Sequence, residues 1–153
     1  SEMCIRDRYI MVGVLITGHG NFATGLKTSV ELIAGASDYF KYVDFPGDST
    51  EKLSADQHKA LDELKDCDGV LVLADLVGGS PFKSAVECKF ARPDQKIEVI
   101  GGSNLPMMVE AASSLDFYDD PVDFADALMQ TGKEFIVRFE LEEHADNADE
   151  DGI

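Results

Sequence analysis

The sequence predicts an α/β fold: a doubly wound, mostly parallel four-stranded sheet with helices on both faces. Residues 11–16 and 69–75 are short, continuous apolar runs, which are typical of strands buried on both faces. Segments with helical spacing alternate with the strand candidates along the chain. Three of the strand candidates end in glycine-rich turns. Strands that alternate with helices form parallel sheets, because each crossover helix returns the chain to the same end of the sheet.

The predicted elements follow one another in strand and helix order over most of the chain. The predicted strands are residues 11–16, 39–45, 69–75 and 96–100. The predicted helices are residues 22–33, residues 49–65, residues 80–88, a segment after Pro106, and residues 122–130 closing at Gly132. In the third helix we predict Ser80 as the N-cap and Pro81 as the first helical residue, where its missing N–H costs nothing.

Three segments near the chain ends fall outside this alternation. Residues 135–139 have the composition of a strand, and we expect them on an edge of the sheet or paired with another chain. Residues 1–10 precede a strand that begins cleanly at Met11, and we interpret them as an extraneous or disordered extension. Residues 142–153 are acidic with little to bury, which predicts a disordered tail. The domain is therefore expected at residues 11–141.

Composition excludes several classes of protein. A chain of 153 residues with 44% hydrophobic content suits one globular domain, and no apolar stretch approaches the roughly 18–20 residues of a membrane span. The formal net charge of −17 argues against nucleic acid or an anionic membrane as partner. Cys4, Cys67 and Cys88 lie far apart without CxxC spacing, which favours the reducing cytoplasm over a disulfide framework or a zinc site.

Two polar side chains are expected at one edge of the sheet. His19, between Gly18 and Gly20, lies just past the first strand, and Asp75 ends the third. If these strands are neighbours, both side chains reach the crevice where the strand order reverses. A carboxylate that accepts from one imidazole nitrogen leaves the other nitrogen as a nucleophile, and its charge stabilises a cationic ring. This pair predicts transient phosphorylation of His19.

The glycine-rich strand ends predict the surroundings of that phosphate. A helix that starts at residues 78–80 presents backbone N–H groups to phosphate oxygens, and residues 101–106 form a second glycine-rich strand end. The predicted phosphate-binding or wall residues are Thr17, Gly18, Gly20, Gly78, Gly79 and Ser80. His58 and His144 lack metal-ligand spacing with His19, so neither a metal nor another cofactor is predicted.

Four motifs occur in order between residue 11 and about residue 132. They are Gly18-His19-Gly20 with Ala23, Val43-Asp44-Phe45, Leu73-Ala74-Asp75 with Gly78-Gly79-Ser80-Pro81-Phe82, and Gly101-Gly102-Ser103-Asn104-Leu105-Pro106-Met107. Together they are far more specific than any one motif alone. In these residues the chain resembles the enzyme IIA component of the mannose family of the bacterial phosphoenolpyruvate:sugar phosphotransferase system.

The resemblance implies a phosphoryl relay between proteins. His19 would accept the phosphoryl group from the phosphocarrier protein HPr and pass it to a histidine of enzyme IIB. Asp75 would orient the imidazole, and residues 78–81 would help to hold the phosphate. The resemblance also implies a homodimer whose antiparallel edge strand is exchanged between subunits, a role that residues 135–139 would fill.

Further expectations about partners follow from the resemblance. HPr presents a basic surface around its histidine, which would complement this acidic chain and speed encounter. Phe22, Pro81 and Phe82 are candidates for the apolar part of the docking surface. We expect enzyme IIB on a separate chain and only indirect contact with the membrane components IIC and IID. Residues 18–23 are closer to the amino-sugar branches, of the N-acetylgalactosamine type, than to the glucose and mannose branch.

Two alternatives involve phosphoryl transfer, and a third is a plain ligand-binding module in which His19 only hydrogen-bonds. The phosphotransfer subunit of dihydroxyacetone kinase is a sister within the same fold. A receiver domain, of a different functional class, would be phosphorylated on Asp75 itself. That domain needs an acidic pair after its first strand to hold Mg²⁺, whereas this chain has residues 17–19, Thr-Gly-His, at that place.

Overall fold

The computed structural model describes residues 11–141, and the expectations for residues 1–10 and 142–153 lie outside this range. The strands are β1 (Val12–His19), β2 (Phe40–Phe45), β3 (Gly69–Ala74) and β4 (Ile97–Ile100). The helices are α1 (Phe22–Ala34), α2 (Thr50–Glu63), α3 (Ser80–Ala91), α4 (Leu105–Ser114) and α5 (Pro121–Glu134), with a 3-10 turn at Leu115–Phe117. Within residues 11–141, no helix is both long enough and apolar enough to span a membrane.

The sheet is parallel throughout and has the order β2-β1-β3-β4, which confirms the predicted doubly wound α/β class. Thr17 of β1 lies opposite Val43 of β2 and Ala74 of β3, so these three strands end at the same level. The chain moves outward from β1 to β2 and then crosses back to β3. The strand order therefore reverses between β1 and β3, the place where open α/β sheets bind their ligands.

Alternation of side chains along the strands divides the core into two apolar layers. Val14 and Ile16 of β1 pack in the layer that contains residues of α1, α4 and α5. Leu15, between them in the sequence, packs in the layer of α2 and α3. All three side chains are completely buried, and each burial contributes about 1.5–3 kcal/mol to folding. The two layers hold the helices rigidly on both faces of the sheet.

Two predicted helix ends are corrected by the structure. The N-cap of α3 is Gly79, not Ser80, so Ser80 and Pro81 are the first and second helical residues. The last helix does not close at Gly132 but continues to Glu134. Gly132 is buried inside the helix, where a Cβ would lie 2.7 Å from Sδ of Met107. The absence of a side chain at Gly132 lets α5 pack closely against Met107 of α4, so this glycine does not end the helix.

Residues 136–140 belong to no strand within the described range, so this chain's own sheet lacks the predicted edge strand. A strand needs a hydrogen-bonded neighbour, and in the single chain this segment has none along β4 or β2. The apolar side chains of this segment and of the residue on either side of it are 65–86% exposed. They are Phe135, Ile136, Val137, Phe139 and Leu141.

Candidate functional site

His19 and Asp75 meet at the strand reversal, as predicted, although 56 positions separate them in the chain. His19 is the last residue of β1, and Asp75 follows β3 by one residue. Imidazole Nδ1 lies 2.8 Å from Oδ2 of Asp75, and the backbone N–H of His19 donates to the same oxygen at 2.8 Å. A carboxylate only accepts, so Nδ1 carries the proton and the lone pair is on Nε2. The pair therefore sets both the position and the tautomer of the imidazole.

The carboxylate of Asp75 is sheltered, whereas the imidazole is open to solvent. The side chain of Asp75 is 13% exposed and that of His19 is 44% exposed. Oδ1 of Asp75 accepts a further hydrogen bond from the backbone N–H of Leu76 at 2.8 Å. Partial burial by itself raises the pKa of Asp75, but the hydrogen bonds from His19 and Leu76 outweigh it and lower the pKa below its usual value. Asp75 therefore stays ionised when a partner approaches the ring.

The lowered pKa of Asp75 predicts a pH-dependent contribution to stability. Because the pKa is lower in the folded than in the unfolded protein, the stabilisation is complete above the ordinary carboxyl pKa of about 4 and is lost as pH falls through the folded value. We expect the difference in unfolding free energy between wild type and Asp75→Asn to shrink below about pH 4. Urea unfolding between about pH 3 and pH 6 measures it. A difference that grows toward acid would contradict the assignment.

The turn after β1 holds the imidazole from the side of β2. The backbone N–H of Gly20, at φ 58°, donates to the carbonyl of Phe45 at 2.6 Å. The Phe45 ring packs edge-on against the imidazole, with ring centroids 5.8 Å apart. Asp44 accepts from the backbone N–H and the hydroxyl of Thr24, at 3.0 and 2.6 Å, and so ties the first turn of α1 to β2. His19 thus has defined neighbours on both sides, Phe45 and Asp75.

Gly18 leaves room for the aromatic ring that begins α1. A Cβ at Gly18 would lie 2.4 Å from Cδ2 of Phe22. Phe22 is half-buried and packs against the core layer of α1. The structure therefore gives Phe22 a packing contact beneath the turn and leaves it only partly exposed.

Nε2 of His19 faces the start of α3. A Cβ built on Gly79 would lie 2.7 Å from Cε1 and 3.4 Å from Nε2 of the imidazole, so only glycine lets the ring occupy this position. Gly78, at φ 84°, turns the chain into the helix. The first backbone N–H groups of a helix have no acceptor within it, and the helix dipole is positive at that end. Ser80 and Phe82 therefore carry backbone N–H groups without an acceptor inside the helix, at the end of α3 that lies beside the imidazole.

The glycine-rich segment that follows β4 is hydrogen-bonded to the turn that carries Asp75. The backbone N–H of Gly102 donates to the carbonyl of Asp75 at 3.1 Å, and that of Ser103 donates to Ala74 at 3.0 Å. A Cβ on Gly101 would lie 2.6 Å from Cγ2 of Val77. Residues 101–103 therefore press against the turn that carries Asp75 and hold it in place.

Two predicted site residues lie beneath the site and not on its surface. Thr17 is completely buried, and its hydroxyl accepts a hydrogen bond from Nε2 of Gln57 at 3.1 Å. Pro81 is buried as well, and its carbonyl accepts from the same amide nitrogen at 3.1 Å. Neither side chain is placed to touch a phosphate or a partner protein. Phe82, the third docking candidate, is half-buried.

The sequence-based prediction missed two exposed apolar residues next to the site. Leu76 and Val77 are 58% and 73% exposed and directly follow Asp75. The sequence assigns them no role, since an apolar pair after an apolar strand carries no periodic signal of its own. The structure places them at the rim of the crevice beside the imidazole-bearing turn.

Within residues 11–141, the other histidine lies away from this site. His58 lies on α2, where its Nδ1 is 3.0 Å from a guanidinium nitrogen of Arg92. His144 lies outside the described residues. Within residues 11–141, no group of three or more histidine, cysteine or acidic side chains is arranged to hold a metal ion.

The fold and the site define a class of protein: a doubly wound α/β domain with a carboxylate-oriented histidine beside a helix N-terminus. Residues 13–127 match the mannose-type EIIA family, described as the PTS system fructose IIA component. The chain belongs to this family of sugar phosphotransferase system components, and these components are phosphotransferases.

Individual relatives are similar over most of the chain. The fructose-specific EIIA component of Bacillus subtilis (strain 168) is 35% identical over 104 residues, which cover 67% of this chain and 70% of that protein. The mannose-specific EIIAB component of Escherichia coli (strain K12) is 33% identical over 128 residues, 82% of this chain but only 38% of that longer protein. The crystal structure of component EIIA from Streptococcus agalactiae has a TM-score of 0.77 at 35% identity and covers 84% of this chain and 98% of that one.

Proposed function

We propose that this protein accepts a phosphoryl group on Nε2 of His19 and passes it to a second protein of a sugar phosphotransferase system. One observation carries the proposal: Asp75 holds Nδ1 at 2.8 Å, and Nε2 faces the glycine start of α3. The imidazole is thus oriented as a nucleophile, with anion-binding N–H groups beside the reacting nitrogen. The donor we propose is the phosphocarrier protein HPr, and the acceptor is a histidine of enzyme IIB.

The transfer exchanges one nitrogen–phosphorus bond for another. The lone pair of Nε2 attacks the phosphorus of the donor's phosphohistidine. The donor's nitrogen–phosphorus bond breaks, and its electron pair returns to the donor nitrogen. Nδ1 keeps its proton, and the positive charge that develops on the ring lies next to the Asp75 carboxylate. The first N–H groups of α3 stabilise the phosphate oxygens. The same steps in reverse deliver the group to the next histidine.

The engagement of the Asp75 carboxylate supports His19 as the phosphorylated residue. Both N–H donors of His19 point at Oδ2, and the N–H of Leu76 points at Oδ1. An aspartate nucleophile needs one carboxylate oxygen free to attack phosphorus. The receiver alternative is therefore disfavoured. The dihydroxyacetone kinase alternative uses the same fold, and the family membership favours the sugar system over it.

Exposed apolar side chains and overall charge support proposals about partners. Leu76 and Val77 form an apolar rim beside an accessible imidazole, and the formal net charge of −17 suits a basic donor surface. The exposed residues 135–141 suit pairing with a second copy of the chain through an exchanged strand, as predicted for a homodimer. This relay would place the protein in the cytoplasm, with only indirect contact with membrane components IIC and IID.

The sugar is a separate proposal. Residues 18–23 favour an amino sugar of the N-acetylgalactosamine type. Uptake of labelled N-acetylgalactosamine, mannose and fructose by cells with and without the gene tests this choice. Loss of N-acetylgalactosamine uptake alone is expected, whereas loss confined to mannose or fructose would overturn it.

The chemistry of the phosphorylated protein tests the main proposal. Incubated with phosphoenolpyruvate, enzyme I and HPr, the chain is expected to gain one phosphoryl group that is labile to acid and stable to base, as a phosphoramidate is. Omission of HPr is the control and should leave the chain unmodified. A base-labile group, which indicates an acyl phosphate, would contradict the assignment to His19.

A further inference from the structure

The fully buried amide of Gln57 connects the two halves of the candidate site. Gln57 lies on α2 and has no exposed surface. Its Nε2 donates to the hydroxyl of Thr17 and to the carbonyl of Pro81, both at 3.1 Å. Thr17 precedes His19 by two residues on β1, and Pro81 follows Gly79 by two residues on α3. One side chain therefore bridges the strand that carries the nucleophile and the helix start that faces it.

The orientation of this amide is determined by its partners. The carbonyl of Pro81 can only accept, so the nitrogen of Gln57, and not the oxygen, must point toward it. The oxygen faces the thiol of Cys88, with 3.8 Å between sulfur and oxygen. Both amide protons and the amide oxygen thus have partners, next to the apolar side chains of the layer formed by α2 and α3.

Stability alone does not account for a polar residue here. An amide buried without partners costs free energy, and an apolar side chain of similar volume would fill the layer without that requirement. A fully satisfied buried network instead favours one arrangement of the elements that it joins. The elements joined here are the end of β1 and the first turn of α3, whose separation sets the distance between Nε2 of His19 and the helix N–H groups.

We propose that Gln57 is a positioning residue for phosphoryl transfer, holding the first turn of α3 against the end of β1 so that its N–H groups face Nε2 of His19. This inference rests on the proposed function. Gln57 touches neither the phosphate nor a partner protein and acts through the carbonyl of Pro81 and the hydroxyl of Thr17.

Gln57→Leu tests the proposal, since leucine is of similar size and cannot donate. We expect kcat for transfer from phospho-HPr to fall about tenfold, because the two hydrogen bonds that hold the first turn of α3 against β1 are lost. The KM for phospho-HPr should not change, because the docking surface is untouched. The melting temperature should fall, because the carbonyl of Pro81 and the hydroxyl of Thr17 lose their buried donor, and the amide NMR signals of Ser80 and Phe82 should shift. A purely structural role would lower the melting temperature in the same way but leave kcat of the folded protein unchanged.

Two further variants sharpen the test. Ser84→Ala is the matched control: Ser84 is a buried polar residue of α3 whose hydroxyl has no partner within the described chain, so its loss should leave kcat unchanged. Thr17→Val removes one of the two acceptors, and combined with Gln57→Leu it should cost no more than Gln57→Leu alone. Wild-type kcat and unshifted amide signals in Gln57→Leu would overturn the role of Gln57, whereas an unphosphorylated wild type would overturn the proposed function instead.

Discussion

His19→Ala is expected to abolish acceptance of the phosphoryl group, because it removes the imidazole whose Nε2 faces the start of α3. No neighbouring side chain can replace this nucleophile: each carboxylate oxygen of Asp75 still accepts a backbone N–H, from residue 19 or from Leu76, and Phe45 has no reactive group. Labelling with phosphoenolpyruvate, enzyme I and HPr, followed by intact-protein mass spectrometry, measures the effect. We expect complete phosphorylation of the wild type and none of the variant.

His58→Ala is the matched control for this experiment. His58 is also a partly accessible histidine, but it lies on α2 next to Arg92 and not at the strand reversal. Its replacement should leave phosphorylation unchanged. Labelling that persisted in His19→Ala and disappeared in His58→Ala would reject the site described above, whereas the fold assignment would be unaffected.

Gly79→Ala is expected to slow the transfer about a hundredfold with little loss of stability. The added methyl group would lie 2.7 Å from Cε1 of His19, well inside van der Waals contact. The backbone at Gly79, with φ −76° and ψ 171°, is open to any residue, so alanine introduces no backbone strain. The exposed imidazole yields instead and turns away from Asp75, and a misplacement of about 1 Å in a reacting group costs about a hundredfold in rate.

Rapid-quench measurement of single transfers from phospho-HPr gives the rate constant for this variant. Its unfolding free energy should fall by no more than about 1 kcal/mol, since alanine is a poorer N-cap than glycine. Gly25→Ala on α1 is the control, because a methyl group there meets nothing within 4 Å. That variant should transfer at the wild-type rate and gain about 0.5–1 kcal/mol of stability. Normal transfer by Gly79→Ala with an undisplaced imidazole would contradict the geometric argument.

Sequence patterns predicted the parts of the site that depend on strand ends. Buried runs at residues 11–16 and 69–75 indicated two strands, and parallel strands bring their carboxyl ends to one edge. This reasoning placed His19 beside Asp75, and the distance of 2.8 Å between their side chains agrees with it. The fold class was predicted for the same reason, since alternation of strands and helices is a local property.

The sequence-based predictions were wrong where contacts with residues distant in the chain, and not the local sequence pattern, determine the position of a residue. The first strand ends three residues later than predicted, because β3 pairs with it as far as Thr17 and β2 as far as His19. In the longer strand, alternation directs the side chain of Thr17 into the buried layer of Gln57. Gln57 itself stands in a polar stretch of α2, which is typical of a solvated helix face, and only its contacts reveal its burial.

The sequence by itself determined the order of the elements, the fold class and the two central side chains, His19 and Asp75. Hydrophobic periodicity and strand ends can be recognised in short stretches of chain, so these features need no knowledge of tertiary contacts. Tertiary structure alone decided which imidazole nitrogen is free, why residue 79 must be glycine, and that Gln57 joins β1 to α3. These features depend on contacts between residues 24 to 60 positions apart, and packing of the helices on the sheet sets such distances to within a few tenths of an ångström.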